Sequence, residues 1–294
     1  MNKKVEVGAI NITMHPHNPE KYVELFKAAK ALDRPIHVKG TTYASLSELH
    51  KMKKVPAGEK IAPLYGDIIK YTDIPPGSDW FDSRTGQFAD EEEREKAEKI
   101  NYLKPLGVRF SFIFFPQDHI LVYSKYQDQK SLGSTSATDF FKGLLNQQEL
   151  LDIFNEVNVT HLPQHEAVEA AINLKFKRAI ELTITRPNSI EDAERKLLAR
   201  YNKLNVNSVK EEYKAINGQQ IEMDDELEEL SRIAARNGTL TVKGRDEEQR
   251  RTVITTTDRP FSMSDSFNDN IIDHYNSFKE LAYQAIDYLR NLRR

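Results

Sequence analysis

Two short passages place pairs of histidines where imidazole chemistry could occur. His15 and His17 follow the β-prone run INIT at 10–13, and His161 and His165 follow VNVT at 157–160. Each pair lies in a proline-containing turn after a strand-like run, a position where functional side chains often gather. If the two units were neighbours in one sheet, four neutral imidazoles could converge on zinc or another borderline divalent metal. No carboxylate spacing completes a recognised metal signature, so the simpler reading is surface or helix-capping histidines, with no cofactor expected.

Asp118 and His119, in the turn PQDH, are the other weak candidates for acid–base or nuclease chemistry. A metal-dependent nuclease needs paired acids with a lysine close behind to hold the ion and activate water. Asp118 followed by Ser124-Lys125 lacks the second acid, and Asp67-Ile-Ile-Lys70 has the wrong spacing. The chain has no phosphate-cradling GxxxxGK[ST] loop and no GxSxG elbow. With no cysteine, disulfides, thiolate metal sites and cysteine nucleophiles are excluded. A nuclease or toxin would therefore need a site assembled from distant segments. For contacts to nucleic acid or a partner, the candidates are Trp80 and Arg84 in the polar stretch DWFDSRTGQ, Lys125, and Arg250 with Arg251. A tryptophan in a polar loop serves equally as a contact anchor or as a plug beneath the loop.

The elements that must position these residues are read from periodicity. Residues 4–13 alternate as a strand, and Asn18-Pro19 opens a helix with an N-cap and a first-turn proline. IHVKG at 36–40 is a short strand, and SLSELHKMKK at 45–54 reads as a helix. PLYGDIIKYTDI reads as a bent strand or strand pair, and ADEEEREKAEK as a charged helix or loop. The strongest β signal is VRFSFIFFPQDHILVYSKY, two strands around a hairpin turn. In it Phe110, Phe112 and Phe114 share one face, and Ser111, Ile113 and Phe115 the other. Exposed rings on such a strand could stack on bases, but a strand apolar on both faces reads first as the buried centre of a sheet.

Residues 134–154 form an amphipathic helix, and 189–204 a helix with Ser189 as N-cap and Asp192 at the capping-box position. An acidic helix follows at 222–236. TLTVKG and RTVITTT then pair as a hairpin, and a final helix puts Ile271, Tyr275, Phe278, Ala282, Ala285 and Leu289 on one stripe. Strands and helices intermix without a βαβ rhythm. The fold class is therefore α+β, with a mixed, largely antiparallel sheet, flanking helices and a helix-rich C-terminal segment. The expected division is an α+β core over 1–187 and a helix-rich region with a β-hairpin over 188–294.

Composition narrows the class. An apolar share of 39% with 30% charged residues is that of a globular chain, and a net charge of −3 gives no fold-wide basic field to attract nucleic acid. Local basic patches remain compatible with that balance. The start, MNKKVEVGAI, has no signal-peptide pattern, and no stretch approaches 18 uninterrupted apolar residues, so a cytoplasmic protein without membrane contact is expected.

Three passages, KVEVGAINITMHPHNPEKY, GDIIKYTDI with DWFDSRTG, and FSFIFFPQDHILVYSKY, carry a family likeness. Over residues 4–187 the chain resembles a poorly characterised bacterial family with a domain of unknown function, often found among mobile-element and antiphage-defence genes. The resemblance implies an abortive-infection type of defence protein that recognises a phage or nucleic-acid component. It would work with a partner protein or as a homo-oligomer. The alternatives are the dispersed-site nuclease or toxin, and a non-enzymatic interaction or scaffold protein.

Overall fold

The computed structural model describes residues 2–53, 60–127, 129–187 and 192–292. Its first strand, β1 (Asn2–Thr13), is followed by α1 (Pro19–Leu32), β2 (Ile36–Lys39), β3 (Thr42–Lys51) and β4 (Leu64–Thr72). An excursion then carries β5 (Phe81–Asp82), β6 (Gln87–Phe88) and α2 (Glu91–Lys99) before the chain returns as β7 (Val108–Phe115) and β8 (Ile120–Ser124). After the small pair β9 (Tyr126–Gln127) and β10 (Lys130–Ser131) come α3 (Ser134–Leu145), α4 (Gln148–Phe154), β11 (Asn158–His161), α5 (His165–Ile172) and β12 (Phe176–Thr185). The remainder is α6 (Asp192–Leu204), β13 (Ser208–Lys214), α7 (Asp225–Asn237), β14 (Gly238–Arg245), β15 (Arg251–Thr255), β16 (Met263–Asn268) and α8 (His274–Asn291).

Two sheets organise these elements. The larger runs β11-β1-β8-β7-β4-β3-β2, with β16 also on β1, and the smaller runs β13-β12-β14-β15. Every recorded strand pairing is antiparallel, and the fold is α+β. The strands do not separate at residue 187. β12 pairs with β13 and β14 from beyond it, while β16 returns to pair with β1 and α8 packs on the larger sheet.

The period-2 pattern explains the layers. Phe110, Phe112 and Phe114 point into one core with α1, α3 and α4, where the Phe26 and Phe114 rings stack at 4.7 Å. Ile113 and Phe115 point into the opposite core, closed by Phe278, Leu281, Ala282, Ala285 and Leu289 of α8. Strands buried on both faces read as continuous apolar runs, as FSFIFF does. Gly8 is required at its place in β1, because a Cβ there would lie 2.5 Å from the Tyr123 hydroxyl.

Several expected elements differ. Residues 45–51 of SLSELHKMKK are strand, not helix: β3 pairs with β4 from Thr42 to Lys51, and Lys54 lies outside the described residues. Its Glu and Lys residues favour helix only weakly, and burial of Ala44 and Leu46 on the sheet overrides that preference. The helix expected over 134–154 breaks at Asn146 and Gln147 into α3 and α4. Asn146 is held there by its side chain, which accepts from the Val157 amide at 2.8 Å and donates to the Val157 carbonyl at 2.9 Å. Ile271 lies ahead of α8 and is 82% exposed, because Asp273 caps the helix after it. Ser189 lies outside the described residues.

Candidate functional site

An open, cationic groove forms where the end of β3 and the start of β4 face α8. The hydrogen-bonding register between the strands shifts between Leu46 and Glu48, which inserts one extra residue into β3. Such a bulge reverses which face the following side chains occupy. Leu49 thereby joins the α1 side, while His50 comes opposite Tyr65, on the α8 side. Across the groove, Tyr275, Lys279 and Tyr283 recur every four residues on one face of α8.

The resulting cavity, of about 450 Å3, is lined by His50, Lys51, Met52, Lys53, Tyr65, Tyr275, Lys279 and Tyr283. Tyr65 and Tyr275 meet edge to face at 4.8 Å, and the Tyr283 hydroxyl donates to the Met52 sulfur at 3.2 Å. The Met52 amide donates to the Pro63 carbonyl at 2.9 Å, fixing the rim. Below the floor Asp67 is only 1% exposed and accepts from the Tyr65 hydroxyl at 2.9 Å and from Ser111 at 2.8 Å. Burial pushes the Tyr65 phenol up, and the neighbouring Asp67 charge adds to it, so the ring stays neutral and its hydroxyl remains a donor. Among the described residues no carboxylate lines the groove, although Glu48 reaches His50 at 3.5 Å from the rim. Ammonium groups with no carboxylate partner among the described residues, together with half-buried rings, favour an anionic ligand with a flat apolar part.

The histidine turns are arranged differently. β1 and β11 run antiparallel, with Thr13 opposite Asn158 and Ile10 opposite His161, so the two turns leave their strands in opposite directions. His161 contacts the Thr257 carbonyl at 3.2 Å, and His165, at the start of α5, lies 3.9 Å from Glu169. His15 precedes a cis peptide bond to Pro16 and contacts the Arg186 carbonyl at 3.3 Å. The fold instead brings together His17 and His119, whose rings meet edge to face at 4.0 Å beside Tyr22. His119 is fully buried, and His17 Nδ1 is buried with no hydrogen-bond partner among the described residues. Desolvation pushes His17 down, as does the nearby His15 charge, and burial also pushes His15 and His161 down, so these imidazoles are neutral near pH 7. Among the described residues no three His, Asp or Glu side chains are grouped to hold a metal ion.

The remaining candidates are scattered. Asp118 forms a two-pronged pair with Arg290 of α8, including one bond at 3.0 Å. Lys125 lies 2.8 Å from Glu6 and donates to Ser262 at 3.0 Å. Burial would raise the Glu6 carboxyl, but Lys125, Lys4 and Ser262 together bring it down to about 2. Trp80 is half-buried, and its carbonyl accepts from Ala89. Arg84 pairs with Asp82 and Glu93 on the excursion, and Arg250 pairs with Asp246 and Glu248 beside exposed Arg251 on the second sheet. The groove as a whole is not marked in the sequence, because Lys51 and Lys53 lie in a stretch of helix-compatible composition. The four-residue spacing of Tyr275, Lys279 and Tyr283 marks the helix face of the groove, but not the strand ends that meet it.

Fold and groove together define an antiparallel α+β protein with a cationic, tyrosine-lined cleft rather than an assembled histidine centre. The chain belongs to the family described as Domain of unknown function (DUF4747), which matches residues 3–283 and so spans both sheets. No curated protein matches the chain. No described helix is long and apolar enough to cross a membrane.

Proposed function

We propose that this protein is a cytoplasmic component of a bacterial antiphage defence of the abortive-infection type, recognising nucleic acid of the invading phage. The observation that carries the reading is the groove, with Lys51, Lys53 and Lys279 placed around Tyr65, Tyr275 and Tyr283. Lysines neutralise phosphates and rings contact bases, the combination used for sequence-tolerant nucleic-acid binding. The defence context rests on the resemblance of its N-terminal two thirds to a family often encoded among such genes. The test joins the two parts. Plasmid expression lowers phage plating, and Lys51→Ala with Lys279→Ala restores plating and weakens oligonucleotide binding by at least tenfold. Unchanged plating across a broad phage panel rejects the defence role, and unchanged binding rejects the groove.

A specific observation also favours a protein partner or a second copy of the chain. The excursion between β4 and β7 exposes Phe81 at 63%, Phe88 at 70%, Tyr102 at 77% and Leu106 at 68%. Exposed large apolar residues gathered on one segment mark interaction surfaces. If the protein is an interaction or scaffold component, Phe81→Ser with Phe88→Ser abolishes protection while oligonucleotide binding is retained.

A further inference from the structure

We infer that the groove takes single-stranded nucleic acid and excludes duplex, with an unstacked base against the Tyr65 and Tyr275 rings and the flanking phosphates on Lys51, Lys53 and Lys279. This rests on the nucleic-acid reading of the same site. Its ground is where the rings lie. Tyr65 and Tyr275 are half-buried, and they line the cavity together with the three lysines. In a duplex the base faces are covered by their neighbours, and only their edges are presented in the grooves. A ring recessed among lysines therefore meets a base face only when that base is free of its stack. The cavity, about 450 Å3, is sized for one small ligand unit rather than an extended helical surface.

The floor is also rigid. Asp67, nearly fully buried, fixes the Tyr65 hydroxyl, and the Tyr275 ring packs edge to face on Tyr65. A pre-set aromatic platform binds without the entropy cost of ordering its rings. No base-reading donor or acceptor set is needed, so the selectivity is for strandedness rather than for sequence. Either RNA or DNA supplies this chemistry.

The experiment titrates the full chain against a fluorescein-labelled strand of about 12 nucleotides, a length within the range covered by single-strand-binding modules. The strand is presented as DNA, as RNA, and annealed to its complement. The expected result is single-strand binding at least tenfold tighter than duplex at equal salt. Three phosphate contacts give a salt slope of about −2 for a single strand. Tyr275→Ala weakens the single strand by roughly tenfold, the loss expected for one stacked base. Tyr275→Phe keeps the affinity, and Tyr275→Leu, which keeps bulk and removes the ring, behaves as the alanine variant does; this separates stacking from misfolding. Duplex bound as tightly as single strand, with Tyr275→Leu neutral and the lysines still required, overturns this inference and leaves the nucleic-acid reading standing. If no probe binds, both fall.

Discussion

The His17–His119 pair and the tyrosine–lysine groove lie on opposite faces of the same sheet, and they invert the importance their sequences advertise. His17 and His119 are rare residue types in conspicuous turns, yet they meet edge to face beside Tyr22 on the α1 side, turned away from the open cleft. Lys51, Lys53 and Lys279 are common residues in ordinary surroundings, yet a bulge and a helical repeat set them around an open cleft that no carboxylate of the described residues lines. Burial decides the difference. A ring inside a core is held in place by what packs around it, whereas a charged side chain beside open rings keeps its affinity for a ligand.

The largest expected effect tests the closed side. His119→Ala removes a fully buried ring from contact with His17 and Tyr22. By comparison with truncation of other buried rings it costs on the order of 3 kcal/mol, read as a lower urea midpoint. Oligonucleotide affinity at the groove is unchanged while the protein remains folded. A lost affinity without lost stability would make the histidine pair part of the binding site and would dissolve the contrast.

How much of this was legible follows the same division. The two-faced aromatic strand, the PQDH hairpin, the capped α1 and the β14–β15 pair were readable because alternation and turn residues act locally. The β3 strand was not, since SLSELHKMKK has helix-compatible composition and only the pairing partner β4 settles the conformation of residues 45–51. Nor were β13 and β16, whose mostly exposed, polar sequences lack an apolar alternation of their own. The groove was hidden for a further reason. It joins residues 50–53, 65 and 275–283, and no local pattern records a meeting of segments so far apart. The paired histidines were legible as residues, but whether their turns shared an edge depended on the antiparallel register of β1 with β11.

An intermediate effect separates committed from available cations. Lys125 resembled the groove lysines as a candidate ligand contact, but it is bound to Glu6 and Ser262. The Glu6 carboxyl titrates at about 2 in the folded chain, below its ordinary 4.5. A depressed carboxyl stabilises the fold fully above its unfolded value, and this contribution is lost as pH falls from about 4.5 towards 2. Glu6→Gln is expected to cost on the order of 1 kcal/mol at pH 7, after allowance for solvent screening of a partly exposed pair. The gap between variant and parent narrows when urea midpoints are compared at pH 3. A gap independent of pH would show that hydrogen bonding to Ser262, not charge, holds this cluster.

The smallest effect sharpens the open side. Asp273 caps α8 by accepting from the Asn276 amide at 2.8 Å, and its charge also bears on Tyr275 in the first turn. Asp273→Ala removes both cap and charge, whereas Asp273→Ser keeps a capping oxygen and removes only the charge. Alanine should lower stability by roughly 0.5–1 kcal/mol, as a lost N-cap does, and serine by a few tenths at most. Binding should move the other way. With the cap kept and a nearby negative charge gone, Asp273→Ser binds the single strand slightly more tightly than the parent, by less than about threefold, and most visibly at low salt. Alanine gains the same electrostatic term but loosens the turn that holds Tyr275, so its affinity falls below that of serine. If the two variants bind alike, the first turn of α8 does not position the ring, and the groove's platform rests on Tyr65 and the buried carboxylate beneath it.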